Sequence, residues 1–151
     1  MATPNFTLMP LACFTDFLRL AGDEGDFSRR IYCDWELLSH NLDPIRSSCG
    51  LELTPGRTYG DPGDYDFIVV HGGILHADHR IPPELYAFVT DAVRQGVPVA
   101  GNCSGSFVLA EAGLLAGKRS RFISRWRDCC ARPFPTSRPS PTGLSWLTEI
   151  S

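Results

Sequence analysis

The sequence predicts an α/β domain whose sheet is mostly parallel and doubly wound. Three observations carry that prediction. The runs Tyr65–Val70 and Val97–Ala100 are short, continuous and mostly apolar, as strands covered on both faces require. Each stops at a turn of small residues, His71-Gly72-Gly73 in one case and Gly101-Asn102-Cys103-Ser104-Gly105 in the other. Segments with helical spacing follow both turns, so strand, helix, strand and helix alternate as in a βαβα unit.

Asn5–Leu8 is a short apolar start and predicts a first strand. Phe14, Phe17, Leu18 and Ala21 recur at helical spacing, which predicts the first helix. Gly22-Asp23-Glu24-Gly25-Asp26 breaks that helix as a polar loop. Ile31–Ser39, rich in aromatics, reads as strand-like. Ile45–Leu53 reads as a hairpin turning at Ser48-Cys49-Gly50. After the Tyr65–Val70 strand, Pro82 and Pro83 open a helix over Glu84–Gln95, with Leu85, Phe88, Val89 and Ala92 on one stripe. Gly96 ends it. Val97–Ala100 is the second buried strand, and Phe107–Leu115, rich in Ala and Leu, the helix after it.

A chain of 151 residues and 16.7 kDa fits one domain. Its 43% hydrophobic content and 16 aromatic residues exclude disorder of the body. No run of 18 apolar residues exists to span a membrane. The start Met1-Ala2-Thr3-Pro4-Asn5 has neither the basic residues nor the apolar core of a signal peptide. Six cysteines are scattered without a CxxC pair, so they read as reduced thiols and the location as cytoplasmic. Charge divides the chain unevenly. Residues 1–117 carry 7 basic and 15 acidic side chains, whereas residues 118–138 carry 7 basic and 1 acidic. Four of the 12 prolines fall within residues 133–141. An acidic body is therefore followed by a basic, Pro-rich tail.

The chemistry concentrates at Gly101-x-Cys103-x-Gly105. Between a buried strand and a helix, this pattern fits a nucleophile elbow, a strained turn that lifts a side chain over the end of the sheet. The helix N-terminus beside Cys103 favours a thiolate. Backbone N–H groups of Ser104 and of the Gly72-Gly73 turn could face the same point as an oxyanion hole. A buried cysteine in a glycine-rich turn is the plain alternative; the flanking strand and helix favour the elbow.

Asp66-Phe67-Ile68-Val69-Val70-His71-Gly72-Gly73 and the run from Gly101 to Leu115 resemble the ThiJ/PfpI superfamily, which has the class I glutamine amidotransferase-like fold. Leu20-Ala21-Gly22-Asp23, Ile31-Tyr32-Cys33-Asp34-Trp35 and Ile45-Arg46-Ser47-Ser48-Cys49-Gly50 narrow the resemblance to the N-terminal sensor domain of AraC-type transcriptional regulators. The likeness runs from about Phe6 to Arg119. It implies a flavodoxin-like, three-layer α/β/α fold with a mostly parallel sheet, incomplete at the C-terminus. It divides the chain into a domain over 1–119 and a divergent tail over 120–151 that is no domain. The resemblance also implies an acid on the first helix beside the elbow cysteine, which selects Asp16; an exposed carboxylate at the helix start is the alternative.

Two departures shape the functional expectation. Members of the superfamily commonly carry a His on the strand after the elbow helix. Here Gly117-Lys118-Arg119 is followed by Ser120-Arg121-Phe122-Ile123-Ser124-Arg125, and no His occurs after residue 79. Cys103 thus lacks its usual general base. Further strands, and the helix-turn-helix domain of full regulators, find no counterpart in Ser120–Ser151. Vicinal Cys129-Cys130 lacks the further ligands a metal needs. Arginines around Trp126 could contact nucleic acid, but weakly and without a scaffold. The tail is expected to reflect a reading frame that diverges near Arg119, or unrelated sequence joined there. Sequencing of the coding DNA decides this.

The leading expectation is a non-catalytic, small-molecule-sensing domain of an AraC-type regulator. Its ligand would lie at the strand ends near Cys103, Gly72, Gly73, Ser104, His71 and His76. DNA would be contacted only through a helix-turn-helix domain absent from this chain. A ThiJ/PfpI-type cysteine-dependent hydrolase, hydratase or glyoxalase-like enzyme, with Cys103 as nucleophile, is the alternative; a thiol redox sensor is another. No cofactor, metal or membrane partner is expected. His71, His76 and His79 form H-x4-H-x2-H, which suits neither a helical face nor a known zinc pattern. His76 or His79 could instead approach Cys103 from its loop. A sheet cut short would leave an apolar edge, which predicts homo-oligomers.

Overall fold

A computed structural model describes residues 1–74 and 80–116, and the backbone of three further strands, at 119–120, 138–139 and 147–150. His76, His79 and Cys129-Cys130 lie outside the described residues, as does most of the tail.

The centre of the molecule is the predicted βαβα unit. Strand β5 (Ile68–His71) and strand β6 (Val99–Asn102) are buried at every position and pair in parallel, Ile68 opposite Val99 and His71 opposite Asn102. Helix α2 (Pro83–Arg94) makes the crossover between them. Pro83 sits in its first turn, where no N–H is required, and Leu85, Phe88, Val89 and Ala92 form the buried stripe. The Phe88 ring stacks on Tyr59 at 4.8 Å between centroids. Gly96, at φ +81°, turns the chain back toward β6. Helix α3 (Gly105–Glu111) follows β6. It begins and ends earlier than the sequence suggests, because Gly113 at φ +76° leaves the helix before Leu115.

Extended chain at the N-terminus lies on the other side of β5. Ala2 bridges His71 in parallel, and the His71 N–H donates to the Met1 carbonyl at 2.9 Å. The strand expected at Asn5–Leu8 is thus displaced toward the terminus, and only Phe6 keeps bridges, to Ser47 and Gly73. Phe6 is fully buried and seeds a second, smaller core with Ala2 and Ile45.

Helix α1 (Leu8–Ala21) is longer than its periodicity implied and buries no residue fully. Of the predicted stripe, Phe14 and Leu18 are half-buried while Phe17 and Ala21 are exposed. Nearly every position of α1 is apolar, so spacing alone could not select the inward face. The strand-like reading of Ile31–Ser39 is corrected in the same way. Only β1 (Leu38–Ser39) is strand, paired in parallel with β4 (Arg57–Thr58), and Tyr32 stands exposed. Trp35 is held by a local interaction instead, with the Arg30 guanidinium 4.3 Å from its ring centroid. The hairpin expectation fits: β2 (Ile45–Arg46) and β3 (Glu52–Leu53) pair antiparallel, with Gly50 at φ +91° in the turn.

The tail adds strands that no sequence period marked. β7 (Arg119–Ser120) pairs in parallel with β8 (Arg138–Pro139). β9 (Leu147–Ile150) pairs antiparallel with β6, Val99 opposite Ile150 and Asn102 opposite Leu147. The sheet order is therefore β5-β6-β9, with the Met1–Thr3 segment outside β5.

Candidate functional site at the elbow

The turn between β6 and α3 has the strain that the motif predicts. Cys103 adopts φ +55°, in the left-handed region that side chains with a Cβ avoid. Two hydroxyls brace the turn: Ser106 Oγ donates to the Cys103 carbonyl at 3.2 Å, and Ser104 Oγ donates to the Gly73 carbonyl at 2.6 Å. The second bond ties the elbow to the end of β5. That junction has no room for side chains. A Cβ on Gly72 would lie 2.1 Å from the Gly105 nitrogen, and one on Gly73 would lie 1.7 Å from the Asn5 oxygen.

The thiol itself is half-buried. Among the described residues its hydrogen-bond partner is the Thr7 hydroxyl, at 3.9 Å, just before α1. Asp16 is elsewhere engaged: it is exposed and accepts from Arg19 at 3.3 Å. The carboxylate expected beside the elbow thus forms a surface ion pair one turn of helix from Arg19, because α1 turns that face to solvent. One expected oxyanion donor is also spent. The Gly72 N–H donates to the Asn102 carbonyl at 3.1 Å, continuing the β5–β6 ladder.

A cleft of about 390 Å³ opens over this junction. Gly72, Gly73 and Ser104 line it, together with Thr3, Ile81, Tyr86, Phe107, Glu111 and Arg80. Its size suits a small organic molecule. The Tyr86 hydroxyl donates to Glu111 at 2.6 Å, and burial together with that carboxylate pushes the Tyr86 pKa upward. Tyr86 and Glu111 form the wall between this cleft and a wider, open groove of about 870 Å³ beside α2, which does not reach the elbow. Cys103 is not in the lining of the cleft; its sulfur turns toward Thr7.

His71 lies beneath the site rather than in it. Its side chain is buried, with Nδ1 3.3 Å from Asn102 Nδ2 and its ring tilted on Phe14 at 5.6 Å. Burial, reinforced by the nearby N-terminal ammonium, pushes its pKa down to about 3, so the ring is neutral near pH 7. A neutral imidazole locked to the residue before Cys103 orients the turn; it is not part of the cleft wall. Thr7, Tyr86, Glu111 and Arg80 escape a sequence reading because their proximity to the elbow is created only by the fold.

Comparisons with known proteins agree with this geometry. A profile described as the DJ-1/PfpI family matches residues 26–123. The HTH-type transcriptional regulator GbdR of Pseudomonas aeruginosa is 34% identical over 113 residues, covering 75% of this chain and 30% of its own length. Isonitrile hydratase of Pseudomonas putida is 37% identical over 84 residues, covering 56% of this chain and 37% of its own length. The chain thus spans about a third of the length of these two relatives. Among solved structures, an AraC family transcriptional regulator from Pseudomonas putida superposes with a TM-score of 0.73 at 24% identity, over 93% of this chain and 74% of that one. The likeness to that structure agrees with a flavodoxin-like fold. With a family profile covering more than half of its residues, the chain belongs to the DJ-1/PfpI family.

Proposed function

We propose that this chain is the small-molecule-sensing part of a cytoplasmic transcriptional regulator, and that it binds its ligand without transforming it. DNA is contacted in this reading through a helix-turn-helix domain outside these residues, and the sensing part self-associates. The observation that carries the reading is the chemistry around the elbow. Gly72, Gly73 and Ser104 line a cleft of a size that suits a small ligand, while among the described residues the hydrogen-bond partner of the Cys103 sulfur is the Thr7 hydroxyl, which is no base at neutral pH. The identity to GbdR, a protein described as a transcriptional regulator, supports the same role. Among the described residues no helix is long and apolar enough to cross a membrane.

A panel of polar metabolites screened by thermal shift tests the reading. A ligand is expected to raise the melting temperature of the wild type and of Cys103→Ala alike, and to lose its effect in Arg80→Ala or Tyr86→Phe. A flat response across a broad panel would overturn it.

The strained thiol and the identity to isonitrile hydratase favour one second reading, a cysteine-dependent hydratase or hydrolase. Turnover of an isonitrile or a related small substrate, abolished in Cys103→Ala, would establish that reading in place of the first.

A further inference from the structure

The groove of about 870 Å³ beside α2 is the larger of the two cavities and takes no part in the elbow. It crosses the outward side of α2, from His40 and Tyr59 on one flank of the helix to Glu111 and Ala112 on the other. Each flank carries a tyrosine beside a carboxylate. On the first, Tyr59 stacks on Phe88, and burial and then the charge of Glu84 push its pKa upward. On the second, the Tyr86 hydroxyl donates to Glu111 at 2.6 Å. Ala87 is exposed between the two pairs and raises only a methyl above the helix backbone. With Phe88 and Ala112 it gives the groove an apolar floor. The charge over that floor is negative. Glu84, Asp91 and Glu111 bring three carboxylates against the guanidinium of Arg94, which Asp91 already holds at 2.5 Å. Glu84 has no ion-pair partner among the described residues.

We propose that this groove is a second small-molecule site, separate from the elbow cleft, and that it takes a linear diamine laid across α2 at Ala87. One ammonium pairs with Glu84 beside the Tyr59 ring, and the other with Glu111 beside the Tyr86 ring. Each cation then meets a carboxylate and an aromatic face, the two partners that recognise an ammonium group. The methylene chain between them lies on Ala87, Phe88 and Ala112. The helix sets the length of the ligand. Glu84 and Tyr86 stand on opposite flanks of α2, and a helix with its side chains is about 10–12 Å across, so the ammonium groups must lie about 10 Å apart, the reach of about seven methylenes. A monoamine satisfies one pair only, and an anion is repelled by both. The acidic balance of residues 1–117, 15 acidic side chains against 7 basic, favours the approach of a dication. The site stands apart from the sensing role of the elbow and does not depend on it.

Isothermal titration of the full chain with α,ω-diaminoheptane, α,ω-diaminopropane and heptylamine tests the proposal. The long diamine is expected to bind one per chain, and the short diamine and the monoamine about 10-fold more weakly or worse. Glu84→Gln and Glu111→Gln are each expected to weaken the long diamine about 10-fold. Ala87→Leu fills the saddle between the two pairs and is expected to abolish binding while keeping the wild-type melting temperature, since Ala87 is exposed on a helix that leucine also favours. Arg80→Ala, in the wall of the elbow cleft, is expected to leave the affinity unchanged. Absence of binding by the long diamine, or equal affinity for all three amines, refutes the site. Binding that survives Ala87→Leu but changes in Arg80→Ala puts the amine in the elbow cleft, and refutes the second site while leaving the sensing role intact.

Discussion

Cys103 holds a backbone conformation that costs about 1–2 kcal/mol for a residue with a Cβ. The bonds from Ser104 to Gly73 and from Ser106 to the Cys103 carbonyl keep it there. Cys103→Gly is therefore expected to stabilise the fold by about 1 kcal/mol in urea denaturation; a loss of stability would show that the turn carries no strain. The opposite change at the neighbouring turn is severe. Gly73→Ala drives a methyl into the Asn5 carbonyl and is expected to cost about 3 kcal/mol or more. Titration at the same place gives a second test. His71 has a pKa of about 3 when folded against an ordinary 6.5, and the Met1 ammonium about 5 against 8.0, both lowered by burial. The unfolded chain thus binds protons that the folded chain refuses, so stability is complete above pH 8 and is lost as pH falls toward 3. His71→Gln is expected to flatten the part of this dependence below pH 6.5, and acetylation of the amino terminus the part between pH 5 and 8. A stability profile unchanged by both would place these groups in water.

Among the elements, α2 holds the sheet most directly. Phe88 sits between the sheet and Tyr59, so Phe88→Ala is expected to cost about 3–5 kcal/mol. Thr90→Ala, on the solvent side of the same helix, is expected to change stability by less than about 0.5 kcal/mol. Equal effects at the two positions would mean that the helix is not packed by this stripe. The contrast also explains what could be read from the residues. α2 mixes polar and apolar positions, opens on two prolines and closes at Gly96, so its inward face was legible. α1 has too few polar residues to mark its outward face, and Ile31–Leu37 has aromatic content without alternation. The elbow was legible because glycines and a cysteine sit between a strand and a helix. Its neighbours were not: Thr7 meets a thiol 96 residues away, and the Tyr86–Glu111 wall joins two helices 25 residues apart, contacts that no local period encodes.

At the scale of the whole molecule, the sheet is asymmetric. One edge of β5 is covered by the N-terminal residues through the Ala2–His71 bridge, and the free edge of β6 is covered by β9. β6 is also the strand that delivers Cys103 to the elbow, so the tail strand protects the element on which the site is built. Its four residues, Val99 to Asn102, are buried, and without a partner their edge would present unpaired N–H and C=O groups beside an apolar core. That arrangement opposes a view of the tail as an appendage without consequence for the body. Removal of residues 147–151 is expected to make the chain scatter light and bind an amyloid dye on mild heating, at temperatures where the full chain stays clear. A shortened chain that remains clear and keeps the full chain's melting temperature would show that β6 needs no cover, and that the elbow is held by β5, α2 and α3 alone.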